Sequence, residues 1–145
     1  MKNARRLCHP DPEHRSLAVA RRNAARLGAR ITFIECDVLD GFDGRADVIV
    51  SNPPYVPDSE KARLQPEVGR YEPNAALFGG DDGLAVIRRL FVTAPSRLAE
   101  DGRLVVEFGF GQDAGIRALA ESTGWRVARI RDDLQGIPRT AVLRR

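Results

Sequence analysis

An α/β fold with a largely parallel sheet is what the sequence predicts, and three features predict it. Strand-like and helix-like segments alternate along most of the chain. The 145 residues suit one domain, with 43% hydrophobic and 30% charged residues, a globular balance. The segments at the C-terminal end break the alternation, because two period-two runs there flank a turn, which reads as an antiparallel hairpin closing one sheet edge.

Taken in order, Pro12 to Gly28 reads as a helix. Leu17, Ala20, Ala24 and Leu27 recur at helical spacing, Arg15, Arg22 and Arg26 take another face, and Gly28 stands where a helix-ending glycine belongs. Ile31 to Glu35 is β-branched and aromatic, a strand. Asp40 to Gly44 has turn chemistry. Ala46 to Ser51 is a second strand, ended by Asn52-Pro53-Pro54, since proline has no N–H for a ladder and disfavours helix in the residue before it. Residues 53–81 form a long connection of the kind that is usually functional or mobile. A helix follows from Gly83 to Leu98, with Ile87, Leu90, Phe91 and Ala94 as its buried stripe and a kink expected at Pro95. Gly102 to Phe108 is a third strand, and Gln112 to Ser122 a helix stopped by Gly124. Trp125 to Ile130 and Thr140 to Arg144 make the hairpin, joined through Asp132, Asp133, Gln135, Gly136 and Pro138.

Composition excludes several classes. Lys+Arg total 23 against 20 Asp+Glu, a net charge of +3 that does not by itself argue for nucleic acid or an anionic membrane. Only Lys2 and Lys61 are lysines, and the arginine excess reads as composition bias rather than a patch. No apolar run approaches the ~18–20 residues of a spanning helix, and the first residues lack the apolar core of a signal peptide. Cys8 and Cys36 have no metal-ligand spacing and read as two reduced thiols of a cytoplasmic protein; no metal site is expected.

The chemistry concentrates in Ser51-Asn52-Pro53-Pro54-Tyr55, directly after an apolar strand. Open α/β sheets bind ligands outside the carboxyl ends of their strands. Two successive prolines fix φ twice and leave carbonyl acceptors in a stiff loop. The Asn52 side chain adds another acceptor, and Tyr55 an aromatic body with a polar tip. A planar NH₂ group suits such a cluster: two acceptors hold its two hydrogens and aim the nitrogen at an electrophile. Acceptors on those N–H bonds also stabilise the positive charge that grows on nitrogen during attack. The plain alternative is a rigid Pro-Pro turn without chemistry.

Asn52-Pro53-Pro54-Tyr55 resembles the motif of class I S-adenosylmethionine-dependent enzymes that methylate planar nitrogen in adenine, guanine or glutamine. Its flanks narrow the resemblance. Pro66-Glu67-Val68, Tyr71-Glu72-Pro73, Ala76 to Leu84, Glu107-Phe108-Gly109 with Gln112, and Asp132-Asp133-Leu134 with Gly136 and Arg139 follow in an order similar to the protein-(glutamine-N5) methyltransferase family, also called HemK-like. That likeness runs from about residue 11 to residue 145.

The resemblance implies a Rossmann-like class I methyltransferase sheet ordered 3-2-1-4-5-7-6. It implies S-adenosylmethionine as cofactor, class I peptide chain release factors as protein substrate, and N5-methylation of the glutamine of their GGQ motif as the reaction. Asn52 and the Pro53 carbonyl would accept from the glutamine amide, with Pro54 and Tyr55 lining the same pocket. Asp37 would face the cofactor adenine and Asp11 the ribose hydroxyls, with Asn52 also beside the cofactor. Asp37 could instead be an ordinary loop aspartate, and Asp11 a helix N-cap before Pro12. Glu107 could reach the site or serve as a loop hydrogen-bonding group; His9 and His14 read as solvated, and Trp125 as core. Two other readings stay open: a nucleic-acid amino-methyltransferase, for which +3 and 6% aromatic residues offer little support, and an inactive remnant or binding module.

The family's glycine-rich loop should precede Asp11 by roughly 20 residues. Residues 1–145 therefore read as a partial catalytic domain without the first strand, that loop or the N-terminal substrate-binding domain. Leu7 to Pro10 is a poor version of the apolar strand due there. The strand at residues 31–35 would then lack a neighbour tying it to the strand at 46–51, leaving open edges. The expected outcome is weak cofactor binding by this chain alone. Calorimetric titration with S-adenosylmethionine checks it, and micromolar affinity would refute it.

Overall fold

A computed structural model describes residues 5–10, 15–63 and 74–145. The chain forms two compact units, Met1–Gly44 and Arg45–Arg145.

In the first unit, strand β1 (Arg5–His9) leads to helix α1 (Arg15–Arg26) and strand β2 (Ile31–Glu35). The two strands pair in parallel, with Leu7 opposite Phe33 and Cys8 opposite Ile34. The poor apolar character of Leu7 to Pro10 thus does not prevent a strand. A parallel ladder draws on backbone groups, and the crossover through α1 brings the two segments together. Leu17 and Ala24, one face of α1, are buried with Cys36, Leu39 and Phe42. Leu27, expected on that face, is 73% exposed, because the helix ends at Arg26 and Gly28 turns the chain at φ 62°. Cys8 and Cys36 form a disulfide with Cα atoms 5.5 Å apart. This corrects the reading of two separate thiols. Their separation of 28 residues is the length of the β-α-β crossover, so parallel pairing returns one to the other.

The second unit holds strand β3 (Ala46–Ser51), a 3-10 helix (Asp58–Arg63), the short helix α2 (Asn74–Leu77), helix α3 (Ala85–Arg97), strand β4 (Leu98–Glu107), helix α4 (Asp113–Ser122), and strands β5 (Arg126–Asp132) and β6 (Pro138–Arg144). Its sheet is ordered β3-β4-β6-β5, parallel between β3 and β4 and antiparallel elsewhere. The predicted hairpin is present, and its later strand lies inside it, between β4 and β5. Among the described residues this sheet and the β1-β2 pair are two separate ladders.

In β3, Val48 is 53% and Val50 73% exposed; two residues apart, they lie on the same face of the strand. In the hairpin turn, Asp133 Oδ1 accepts from the N–H groups of Gln135 at 2.8 Å and Ile137 at 3.0 Å. The Ile137 bond foremost, with the Gln135 bond and the Arg139 ion pair, holds that carboxyl below its ordinary range.

The core of this unit is Ile87, Leu90, Phe91 and Ala94 of α3, Leu104 and Val106 of β4, Ile116 and Ala120 of α4, and Ala141 and Leu143 of β6, with Phe108 and Trp125. The stripe predicted for α3 is therefore buried throughout. Pro95 sits inside α3 and has no N–H for the carbonyl four residues back, that of Phe91. Trp125 Nε1 donates to that carbonyl at 2.9 Å, and its ring packs 5.9 Å from the Phe91 ring. A buried acceptor orphaned by proline is thus satisfied from another element, as buried polar groups require.

Trp125→Phe keeps an aromatic ring but strands that acceptor, and should lower the unfolding free energy by about 1–3 kcal/mol. In a Pro95→Ala background the residue 95 N–H can serve the carbonyl, so the same substitution should cost less. Denaturant unfolding of the four proteins measures the coupling; additivity of the two changes would refute this account.

Candidate functional site

The residues at the carboxyl end of β3 are held by backbone contacts more than by side chains. Ser51 pairs with Val106, and the chain leaves the ladder at Asn52. Asn52 is exposed, Pro53 buried, and Pro54 and Tyr55 half-buried. Among the described residues the Asn52 side chain makes no hydrogen bond.

A strap from Leu77 to Leu84 closes over the next residues. Val56 N–H donates to the Leu77 carbonyl at 2.9 Å, Gly79 N–H to the Val56 carbonyl at 3.0 Å, and Asp58 N–H to the Gly80 carbonyl at 3.0 Å. The approach demands glycine. A Cβ on Gly79 would lie 2.5 Å from the Pro54 carbonyl oxygen, and one on Gly83 2.2 Å from that of Tyr55. Gly83 also has φ 75°, a region that side chains disfavour. Asp82 stiffens the strap: it accepts from Leu84 N–H at 3.0 Å and pairs with Arg88, and chiefly through Arg88 its carboxyl sits below the usual range.

Gln112 joins the pieces. Its Nε2 donates to the carbonyls of Tyr55 at 3.0 Å and Asp82 at 3.1 Å, and its Oε1 accepts from Gly109 N–H at 2.7 Å. One amide thereby ties the corner, the strap and the loop after β4. The signal available in the sequence was the Gly109-x-x-Gln112 spacing, which places a side-chain amide just before α4. Its part as a clamp was not legible, because two of its three partners are carbonyls that any residue type provides.

Tyr55 is fixed at its other end. Its hydroxyl donates to Glu107 Oε1 at 3.3 Å, and its ring meets Gly109 closely enough that a Cβ there would lie 3.1 Å from Cδ2. The Glu107 carboxylate thus serves as a hydrogen-bond partner of Tyr55. Burial first, then the charge and hydrogen bond of Glu107, push the Tyr55 hydroxyl above its ordinary 10.0, against a lowering by Arg139.

Asn52, Pro53, Pro54 and Tyr55 are thus together, in the second unit. Asp37 belongs to the first unit, exposed, in the turn after β2. Asp40 N–H donates to the Asp37 carbonyl at 3.0 Å, and Val38 holds a left-handed φ of 58°. That conformation costs a β-branched residue on the order of 1–3 kcal/mol. Asp11 and His14 lie outside the described residues, as do the sequence signals between residues 64 and 73. His9 is exposed and Trp125 is core, as read. No group of three or more His, Cys, Asp and Glu able to hold a metal occurs among the described residues. No helix among them is long and apolar enough to cross a membrane.

A stiff corner of this kind carries acceptors, the amide oxygen of the exposed Asn52 and the proline carbonyls. The chemistry such acceptors offer is holding and orienting.

The family model for the methyltransferase small domain matches residues 1–67. The chain is 44% identical to the release factor glutamine methyltransferase of Geobacter sulfurreducens over 125 residues, which are 86% of this chain and 44% of that protein. It is 43% identical to the release factor glutamine methyltransferase of Rhodospirillum rubrum over 90% of this chain and 41% of the relative. The chain thus spans a little under half the length of these curated relatives. Among solved structures, the ribosomal protein L11 methylase of Lactobacillus delbrueckii subsp. bulgaricus superposes with a TM-score of 0.68 at 17% identity, covering 99% of this chain and 58% of that one. The release factor-specific protein-(glutamine-N5) methyltransferase of Alicyclobacillus acidocaldarius superposes with a TM-score of 0.50 at 23% identity, covering 97% of this chain and 78% of that one. These likenesses show the α/β methyltransferase fold.

The raised Tyr55 hydroxyl sets a pH dependence. The folded state holds this proton more tightly than the unfolded state. Its contribution to stability is therefore complete below pH 10 and is lost as pH rises through the higher folded midpoint. Ultraviolet titration, taken as the difference from Tyr55→Phe, should place the midpoint above 10.0. Glu107→Gln should bring it down while burial keeps it above that value. A midpoint unmoved by Glu107→Gln would remove Glu107 from this role.

Proposed function

From the premise that this chain belongs to the protein-(glutamine-N5) methyltransferase family over the part of the family's length it spans, we propose that the corner at Asn52 serves methyl transfer to a glutamine side-chain amide of class I peptide chain release factors. The activity is that of the whole enzyme, of which these residues form the catalytic corner, and its place is the cytoplasm, where release factors act. The observation that carries the reading is the exposed Asn52 carboxamide, without a hydrogen bond among the described residues, on a loop that Gln112, Glu107 and three close glycines hold in place.

A substrate amide nitrogen is a weak nucleophile, because its lone pair is shared with the carbonyl. The Asn52 side-chain oxygen and the Pro53 carbonyl accept its two N–H bonds and turn the nitrogen toward the incoming carbon. As attack proceeds those hydrogens grow more positive, so both acceptors bind the transition state more tightly than the ground state. Pro54 and Tyr55 form the wall beside them. Neither proline has an N–H to compete for the acceptors.

S-adenosylmethionine, as the cofactor, supplies a methyl group on a sulfonium sulfur. Among this chain's residues Asp37, an exposed carboxylate at the carboxyl end of a parallel strand pair, has the donor-accepting chemistry that an adenine amino group needs. Asp11 is proposed for the ribose hydroxyls and Asn52 for the cofactor side of the corner. The nucleic-acid alternative requires a base flipped out of its stack onto the same corner.

With methyl-labelled cofactor, the complete enzyme should label a release factor and leave DNA and ribosomal RNA unlabelled; label in nucleic acid alone would reverse the assignment. Asn52→Ala should cost about 10²–10³-fold in rate, by analogy with losing one preorganised oxyanion-hole contact. A change below about threefold would refute the role given to Asn52.

A further inference from the structure

A second feature lies at the other end of the four-stranded sheet. Ser51, next to Asn52, pairs with Val106, whereas Val48 pairs with Arg103 and Ala46 with Leu98. At that far end a cavity of about 260 Å³ is lined by Arg103, Arg126, Arg144 and Arg145, with Glu100 and Asp101. The pattern that reads in sequence as scattered arginine is here a convergence of four.

The ladder forces part of it. Arg126 and Arg144 are direct cross-strand partners on β5 and β6, and Leu104 opposite Leu143 brings Arg144 level with Arg103 on β4. Like charges directly opposite on neighbouring strands repel. Such a pair is normally relieved by a carboxylate. Here none of Arg103, Arg126 and Arg144 has an ion-pair or hydrogen-bond partner among the described residues, although Glu100 and Asp101 line the same cavity. Arg145 is turned over the Trp125 ring, 5.7 Å from its centroid.

We propose that this cavity is a phosphate-binding site, separate from the methyl-transfer corner. A phosphate group offers several oxygens to guanidinium forks at once and carries the charge that turns the Arg126–Arg144 repulsion into attraction. The phosphate comes either free, as in pyrophosphate, or as the backbone of a single-stranded polynucleotide; the chemistry of recognition is shared.

Titration of the chain with pyrophosphate and with a ten-nucleotide oligouridylate, followed by amide NMR shifts, tests this. Saturable binding with shifts centred on Arg103, Arg126 and Arg144 is expected. Arg126→Gln with Arg144→Gln should weaken it at least tenfold per guanidinium lost, while Arg117→Gln on α4 should leave it unchanged. Tighter binding of the oligonucleotide with a steep salt dependence identifies the polynucleotide source; equal or tighter binding of pyrophosphate identifies the small anion. The double variant relieves a repulsion, so its Tm should not fall; if it does, Arg103→Gln alone carries the same expectation for binding. Absence of saturable binding by either ligand, or binding that these variants leave intact, overturns the proposal.

Discussion

The candidate site depends on one constraint, the close approach of a glycine strap to the backbone of Pro54 and Tyr55. At 2.2 Å and 2.5 Å from those carbonyls there is no room for a methyl group on Gly83 or Gly79. Contact this close lets a single amide, that of Gln112, bridge from the loop after β4 to both the corner and the strap. Proline stiffness alone would fix two φ angles of the corner. The strap and the amide add its position relative to β4, and with it the reach of Tyr55 to Glu107. Positioning is what a weak nucleophile requires, so the rigidity and the proposed chemistry have one origin.

How much of this was legible in the sequence differs by element, for physical reasons. The stripe Ile87, Leu90, Phe91 and Ala94 declared its buried face because helix burial repeats with the helix period. The strands at 31–35 and 46–51 were legible from β-branched runs, and the corner from two prolines after a strand. Arg5–His9 was harder, since a short parallel strand rests on backbone pairing and its sequence carries two arginines, a cysteine and a histidine. The cysteine pairing was hidden for a related reason: it follows from strand register across a crossover, which local spacing does not encode. The exposure of Val48 and Val50 could not be read either, because an apolar run does not state whether a face of its strand is covered. Within the site, residue types that carry chemistry stood out, while the clamp at Gln112 did not, because its partners are mostly backbone carbonyls.

The same logic explains Trp125. Its aromatic bulk suggested core, and core it is. What sequence patterning did not reveal is the debt created thirty residues earlier, where Pro95 leaves the Phe91 carbonyl without its helical donor. A proline in a helix interior and a distant indole thus form one unit, tolerable together because each supplies what the other lacks.

The position of β6 bears on how the chain comes to be folded at all. It follows β5 in the chain, yet it lies between β4 and β5. When β5 leaves the ribosome the place between it and β4 is still vacant, and its own neighbour in the sheet has yet to be made. The sheet can be finished only after residues 138–144 have threaded into the gap. Synthesis that stops before residue 138 would therefore release a chain that has lost the ladder holding β5, rather than one with a merely frayed end.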